Sequence, residues 1–283
     1  MRTNFLPLAK CAPIVLLLAI TIGSCKKSNI FGDTKVVIPT PPPDTVKKIT
    51  DTTTFTLVWS DEFNGTSVDS KNWNMETGSL HVNNEKEYYQ AANATVANGN
   101  LVITAKSESV GGFPYTSARM NTANKVNVAY GKIEARIKIP MGAGLWPAFW
   151  MLGSDINTGT TWPGCGEIDI MEHINADSLI YGTMHWSAAG NQADYGLKLS
   201  SSPSAYHVYS VTWDDTAIKW YVDNTLYVTG NIANDINNTD AFHKPFFIIL
   251  NLAVAGDFPG QTVDLSKLPA NMYVDYVRVY KAN

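Results

Sequence analysis

The stretch Gly166-Glu167-Ile168-Asp169-Ile170-Met171-Glu172 puts three carboxylates within six residues, separated by apolar side chains. In a β-strand alternate side chains share a face, so Glu167 and Asp169 point the same way. Glu172, five positions after Glu167, falls on the opposite face of a regular strand. One extra residue in a β-bulge near Met171 restores the parity and sets all three acids in one row, with Ile168 and Ile170 packed behind them. Crowded carboxylates push at least one of their pKa values up, so a protonated acid and an ionised carboxylate can coexist at neutral pH. That combination is what cleavage of a glycosidic bond by two carboxylates needs. The same three acids also suit the solvated face of an ordinary strand, and the motif alone does not choose.

The elements that must carry this row read as strands. Lys132-Ile133-Glu134-Ala135-Arg136-Ile137-Lys138-Ile139 alternates polar and apolar residues, as a half-exposed strand does. Ala217–Val222, Asp223-Asn224 and Thr225–Val228 read as a hairpin. Phe246 to Val254 is nearly continuous apolar sequence, which suits a strand buried on both faces. Leu101–Thr104 and Met272–Tyr280 add two more. No segment holds helical periodicity over three turns, and no internal repeat is visible. Many short strands between Gly, Asn and Pro turns predict an all-β, two-sheet antiparallel β-sandwich.

The 283 residues divide into a leader, a linker and one domain of ordinary size. Residues 1–24 read as a signal peptide, with Arg2 and Lys10 before an apolar run, Ala12 to Ile22, that is short for a bilayer span. Residues 25–54 contain Pro41-Pro42-Pro43 and a Thr-rich end without apolar periodicity, a tether whose extended reach approaches about 90 Å at about 3 Å per residue. Residues 55–283 form the predicted globular domain. A net charge of −4 and the lack of a Lys/Arg cluster in that domain argue against a nucleic-acid partner. Eight Trp and thirteen Tyr suit either a packed core or a cleft that stacks sugar rings.

Ile22-Gly23-Ser24-Cys25 resembles a bacterial lipobox, which implies cleavage before Cys25, lipidation of that residue and an enzyme held at the cell envelope; plain secretion is the alternative. Cleavage there leaves Cys165 without an intramolecular partner.

Four further motifs accompany the acid row: Gly144-Leu145-Trp146-Pro147-Ala148-Phe149-Trp150-Met151-Leu152 with Trp162-Pro163-Gly164, Pro245 to Ala253, Val274 to Tyr280, and Trp59-Ser60-Asp61-Glu62-Phe63-Asn64-Gly65. Together they resemble glycoside hydrolase family 16, and within it the laminarinase-like β-1,3-glucanases, over roughly residues 55 to 281. The resemblance implies a concanavalin-like jelly roll with a concave substrate cleft and a retaining mechanism. Glu167 matches the nucleophile, Glu172 the general acid/base, and Asp169 the acid that orients and tunes them. It places Trp146 and Trp150 along the cleft and Arg119 toward the donor subsites. His185 and Asn84 are further candidates for contact with substrate or its carboxylates, although a lone His in a strand also suits a structural role. Catalysis requires no cofactor. One structural calcium is implied on the convex face, held by Asp275 and by backbone carbonyls from segments such as Glu62 and Gly99.

Two departures stand out against that family. Ala255-Gly256-Asp257-Phe258 occupies a cleft-edge loop where relatives often carry paired glycines and a tryptophan. The extra Met171 favours the laminarinase-like branch over the lichenase type, although agarases and carrageenases share it. The resulting expectation is an endo-acting, monomeric enzyme on β-1,3 or mixed β-1,3-1,4 glucans. Same-fold alternatives are a galactanase of the agarase or porphyranase kind and a transglycosylase. A lectin-like binding module is the alternative from another class.

Overall fold

The computed structural model describes residues 53–201 and 203–283, so the leader, Cys25 and most of the tether lie outside the described residues. Two antiparallel sheets of eight strands face each other across one core. The first, here the site sheet, runs in the order Asn191–Ser200, Leu179–Ala188, Glu167–Glu172, Leu145–Gly153, Phe246–Val254, Arg119–Asn121 and Asn74–Met75, with Asn127–Val128 also paired to Phe246–Val254. The second runs Thr225–Asn231, Ala217–Val222, His207–Trp213, Gly131–Lys138, Ala270–Ala282, Asn100–Ala105 and Ala94–Ala97, with Phe55–Asp61 beside Ala270–Ala282. A short parallel pair, Glu87–Tyr89 and Tyr115–Ser117, completes the set. Helical structure among the described residues is confined to 3₁₀ turns.

Sequence pattern accounts for this layout. All nine residues of Phe246–Val254 are buried, as a continuous apolar run in the middle of a covered sheet must be. Ile133, Ala135 and Ile137 alternate into the core from Gly131–Lys138. The predicted hairpin turns at Asp223, whose φ of 55° supplies the left-handed backbone a two-residue turn uses.

The core between the sheets meets the site from behind. Ile168, Ile170 and Met171 on one sheet join Val211, Trp213 and Trp220 of the other in a single apolar cluster. The indole of Trp220 also donates to the backbone carbonyl of Asp169 at 2.8 Å, which pins the acid-bearing strand from the opposite sheet.

Candidate active site

The acid-bearing strand Glu167–Glu172 sits between Leu145–Gly153 and Leu179–Ala188. Its pairing is regular at the first acids: Glu167 faces His185 and Asp169 faces Thr183. It then slips. Glu172 faces Tyr181, so three steps on this strand match two on its neighbour. On the other side Trp150 faces Asp169 while Phe149 already faces Met171. The extra residue is the β-bulge that the spacing demands, and it sends both Ile170 and Met171 into the core while all three acids line one cleft. Gly166 enters the strand at φ 79°, where a Cβ would come within 2.9 Å of the Phe246 ring. Only glycine fits that approach without displacing the ring.

The cleft encloses about 240 Å³. Glu167, Asp169 and Glu172 are each less than a tenth exposed. Two tryptophans hold the outer pair: the Trp162 indole donates to Glu167 Oε2 at 3.0 Å, and the Trp146 indole donates to Glu172 Oε1 at 3.0 Å. His185 Nε2 lies 3.1 Å from Asp169 Oδ2 and 3.9 Å from Glu167 Oε1. One ligand-capable atom from each of Glu167, Asp169 and His185 falls within 4.8 Å of the others. The Trp162 indole also reaches Glu167, so the cluster is a carboxylate–imidazole arrangement with an indole donor beside it. Burial and the neighbouring Glu167 push the Cys165 thiol up to about 12, so it stays neutral and inert among Leu152, Phe247 and Ile249.

Trp146 and Trp150 both line the cleft, as alternate positions of one strand, while Phe149 and Met151 point into the core. The Trp150 indole donates to Asn251 Oδ1 at 2.8 Å, and Asn251 donates in turn to the Tyr89 hydroxyl, which reaches Glu85. Arg119 also lines the cleft. Its guanidinium lies 4.8 Å over the Trp150 ring while its Nε bonds Glu76 at 3.1 Å, so it is both an ion-pair partner and part of the wall. Asn84 stands at the rim with its amide on Asp257 at 2.7 Å, and its neighbours Asn83 and Glu85 are the ones that line the cleft. Phe258, in the divergent loop, packs edge-on against Trp146 and Tyr181.

Three contributors lie outside the sequence-based site: Trp162, Asn251 and Glu85. Asn251 carried a usable signal. It is the one polar residue in Phe246–Val254, and a buried amide in such a run must find partners.

At the positions expected to hold calcium, the side chains are engaged in ion pairs and the expected backbone carbonyls are not. The Asp275 carboxylate, at a bulge of the last strand, is neutralised by Arg136 Nη1 at 2.7 Å. The Glu62 side chain is gripped by Arg278 at 2.9 and 2.8 Å. Gly99 lies in a tight turn at φ 70°, leaving only backbone carbonyls uncommitted by these pairs.

Comparison with known proteins identifies the family. The model of "Glycosyl hydrolases family 16" matches residues 69–278. The chain is 45% identical over 231 residues to the clotting factor G alpha subunit of Tachypleus tridentatus, a match covering 80% of this chain and 34% of that protein. It is 38% identical over 244 residues to a beta-glucanase of Rhodothermus marinus, covering 80% of this chain and 85% of the relative. The laminarinase catalytic domain of Thermotoga maritima superposes with a TM-score of 0.75 at 41% identity, over 80% of this chain and 98% of that domain. The chain thus spans about a third of one relative and most of another, with the jelly-roll sandwich common to its structural neighbours. This chain belongs to glycosyl hydrolase family 16.

Proposed function

We propose that this protein is an endo-acting, retaining β-1,3-glucanase that also accepts mixed β-1,3-1,4 linkages. One observation carries the reading: a single bulged strand presents Glu167, Asp169 and Glu172 together in a cleft walled by Trp146 and Trp150. The laminarinase and beta-glucanase relatives support the choice of a glucan over another polymer.

In the first step a carboxylate oxygen of Glu167 attacks the anomeric carbon as the glycosidic C–O bond breaks. Glu172 gives its proton to the departing oxygen. In the second step Glu172, now a carboxylate, takes a proton from water as that water attacks the anomeric carbon and frees Glu167. Asp169, held by His185, keeps Glu167 oriented and its charge in place through both steps. The steps use only protons and carboxylates, and a member of this family needs no catalytic cofactor. Trp150 and Arg119 form the wall against which sugar rings lie.

The same reading assigns residues 1–24 to a removed signal peptide, Cys25 to a lipid anchor and residues 26–54 to a tether. The enzyme then acts as a monomer at the cell envelope. Metabolic labelling with a radioactive fatty acid, compared with Cys25→Ala, tests the anchor. Size-exclusion chromatography with light scattering tests the monomer.

The decisive assay is reducing-sugar release by the full chain from laminarin, lichenan, curdlan and agarose in parallel. Release from laminarin with long intermediate products is the expected result. Release from agarose alone would keep the mechanism and replace the substrate with a galactan. Glucan binding without release would make the protein a binding module.

A further inference from the structure

Each of the two outer acids accepts a hydrogen bond from a different indole, and the two indoles come from different segments. Trp146 stands on the strand beside the acids, whereas Trp162 stands in the loop just before them. An indole N–H can only donate. A bond from it fixes one oxygen of a carboxylate as acceptor and sets the plane of the group, which decides where its second oxygen points.

From this geometry we infer that Trp146 and Trp162 are separate positioning residues, one for each chemical role: Trp146 aims Glu172 for proton delivery, and Trp162 aims Glu167 for attack on the anomeric carbon. The inference rests on the assignment of Glu167 and Glu172 made above and gives each indole a different kinetic signature.

Other groups around the acids are shared rather than divided in this way. Asp169 and His185 lie beside Glu167, with Asp194 opposite His185 on the next strand. Cys165 also interacts electrostatically with Glu167, and the Tyr181 and Tyr227 hydroxyls with Glu172. Glu85 and Arg119 line the same cleft. None of these distinguishes attack from protonation as the two indoles do.

The test uses two aryl β-laminaribiosides of equal size, one with a 2,4-dinitrophenyl and one with a 4-methoxyphenyl leaving group. Dinitrophenolate departs without help from an acid, whereas methoxyphenolate requires a proton. Trp146→Phe, and benzothienylalanine at position 146, which keeps the ring and removes the N–H, should lower kcat/KM on the methoxyphenyl substrate about tenfold or more. For benzothienylalanine, which keeps the cleft wall, the loss on the dinitrophenyl substrate should stay within about twofold. The same replacements at position 162 should lower kcat/KM on both substrates to the same extent, by about tenfold.

With benzothienylalanine, parallel losses at position 146, leaving-group-dependent losses at 162, or unchanged rates at both positions would each overturn the inference. Glu172→Ala with added azide separates this failure from that of the underlying assignment. Formation of β-laminaribiosyl azide would uphold Glu172 as acid/base even if the indole signatures were absent. No rescue by azide would remove the assignment, and the inference with it.

Discussion

The cleft face of the site sheet and the outer face of the second sheet use the same acids in opposite ways. On the outer face each carboxylate meets a cation: Glu62 meets Arg278, Glu134 meets Lys132, and Asp275 meets Arg136. In the cleft, Glu167 and Glu172 are held by neutral indoles, and Asp169 by an imidazole. A salt bridge cancels the charge it holds. A neutral donor fixes a carboxyl in place without an ion pair, so that Glu167 can face a developing oxocarbenium ion and Glu172 can give and take a proton. Burial makes the arrangement costly in stability and strong in chemistry, because interactions in a poorly solvated site are weakly screened.

The sharpest way to break this contrast is at the cleft. Glu167→Gln should lower kcat on laminarin by at least about a thousandfold while leaving glucan binding by affinity electrophoresis unchanged, since the amide keeps the shape and loses the nucleophile. A variant that retained full hydrolysis would remove Glu167 from its role.

Asn251→Ala should come next. It leaves the Trp150 indole without its acceptor, which costs about 1–3 kcal/mol, while the Tyr89 hydroxyl keeps Glu85. Denaturant unfolding should show that loss, and KM for laminarin should rise as Trp150 loses its fixed position.

A third prediction probes an acid near the cleft whose burial favours its protonated form. Glu87 is buried beneath the rim, where desolvation and the neighbouring Glu85 push its carboxyl well above the usual range. The folded state therefore holds a proton there to higher pH than the unfolded chain does. The stability that proton provides is complete below the ordinary carboxylate pKa of about 4.5 and is lost as pH rises toward the folded value. Glu87→Gln mimics the protonated form and still accepts from the Val254 amide through its carbonyl oxygen. It should raise Tm relative to wild type at pH 7 and leave it nearly unchanged at pH 4. A gain at pH 4 equal to that at pH 7 would contradict the protonated state.

The outer face should respond least. Arg278 holds the Glu62 carboxyl below its usual range through hydrogen bonds, but the pair is about a third exposed. Glu62→Gln should cost no more than about 1 kcal/mol at neutral pH. Because the folded value is depressed, that contribution is present above the ordinary carboxylate range and fades as pH falls through it. Activity on laminarin should not change. Removing calcium with EGTA should leave Tm unmoved, since Arg136 already neutralises Asp275; a drop of several degrees would restore the calcium site.

Much of this architecture was legible in the sequence because burial imposes a period. The nine-residue apolar run at Phe246–Val254 had to lie in the middle of a covered sheet. The Glu-x-Asp-x-x-Glu spacing could put three acids on one face only through a bulge. The partners of those acids were not legible in the same way. Trp162 stood out as part of a motif, but nothing local says that its indole reaches Glu167. Asn251 marked itself as a polar residue in an apolar strand without naming Trp150 or Tyr89. Glu134 reads as a solvent-facing member of an alternating strand, yet Lys132 and the Tyr280 hydroxyl cover it.

The sequence by itself determined the sandwich, the bulged acid row and the family, because side-chain period and residue type are properties of a short segment. Only the tertiary structure decided which partner each acid meets. That choice depends on what lies across space: indoles from another strand and a loop at Glu172 and Glu167, an imidazole at Asp169, a second carboxyl at Glu87, and guanidinium groups at Glu62 and Asp275. Two carboxylates of the same type thus end in different roles because hydration, neighbouring charge and available donors are set by the packing of segments far apart in the chain.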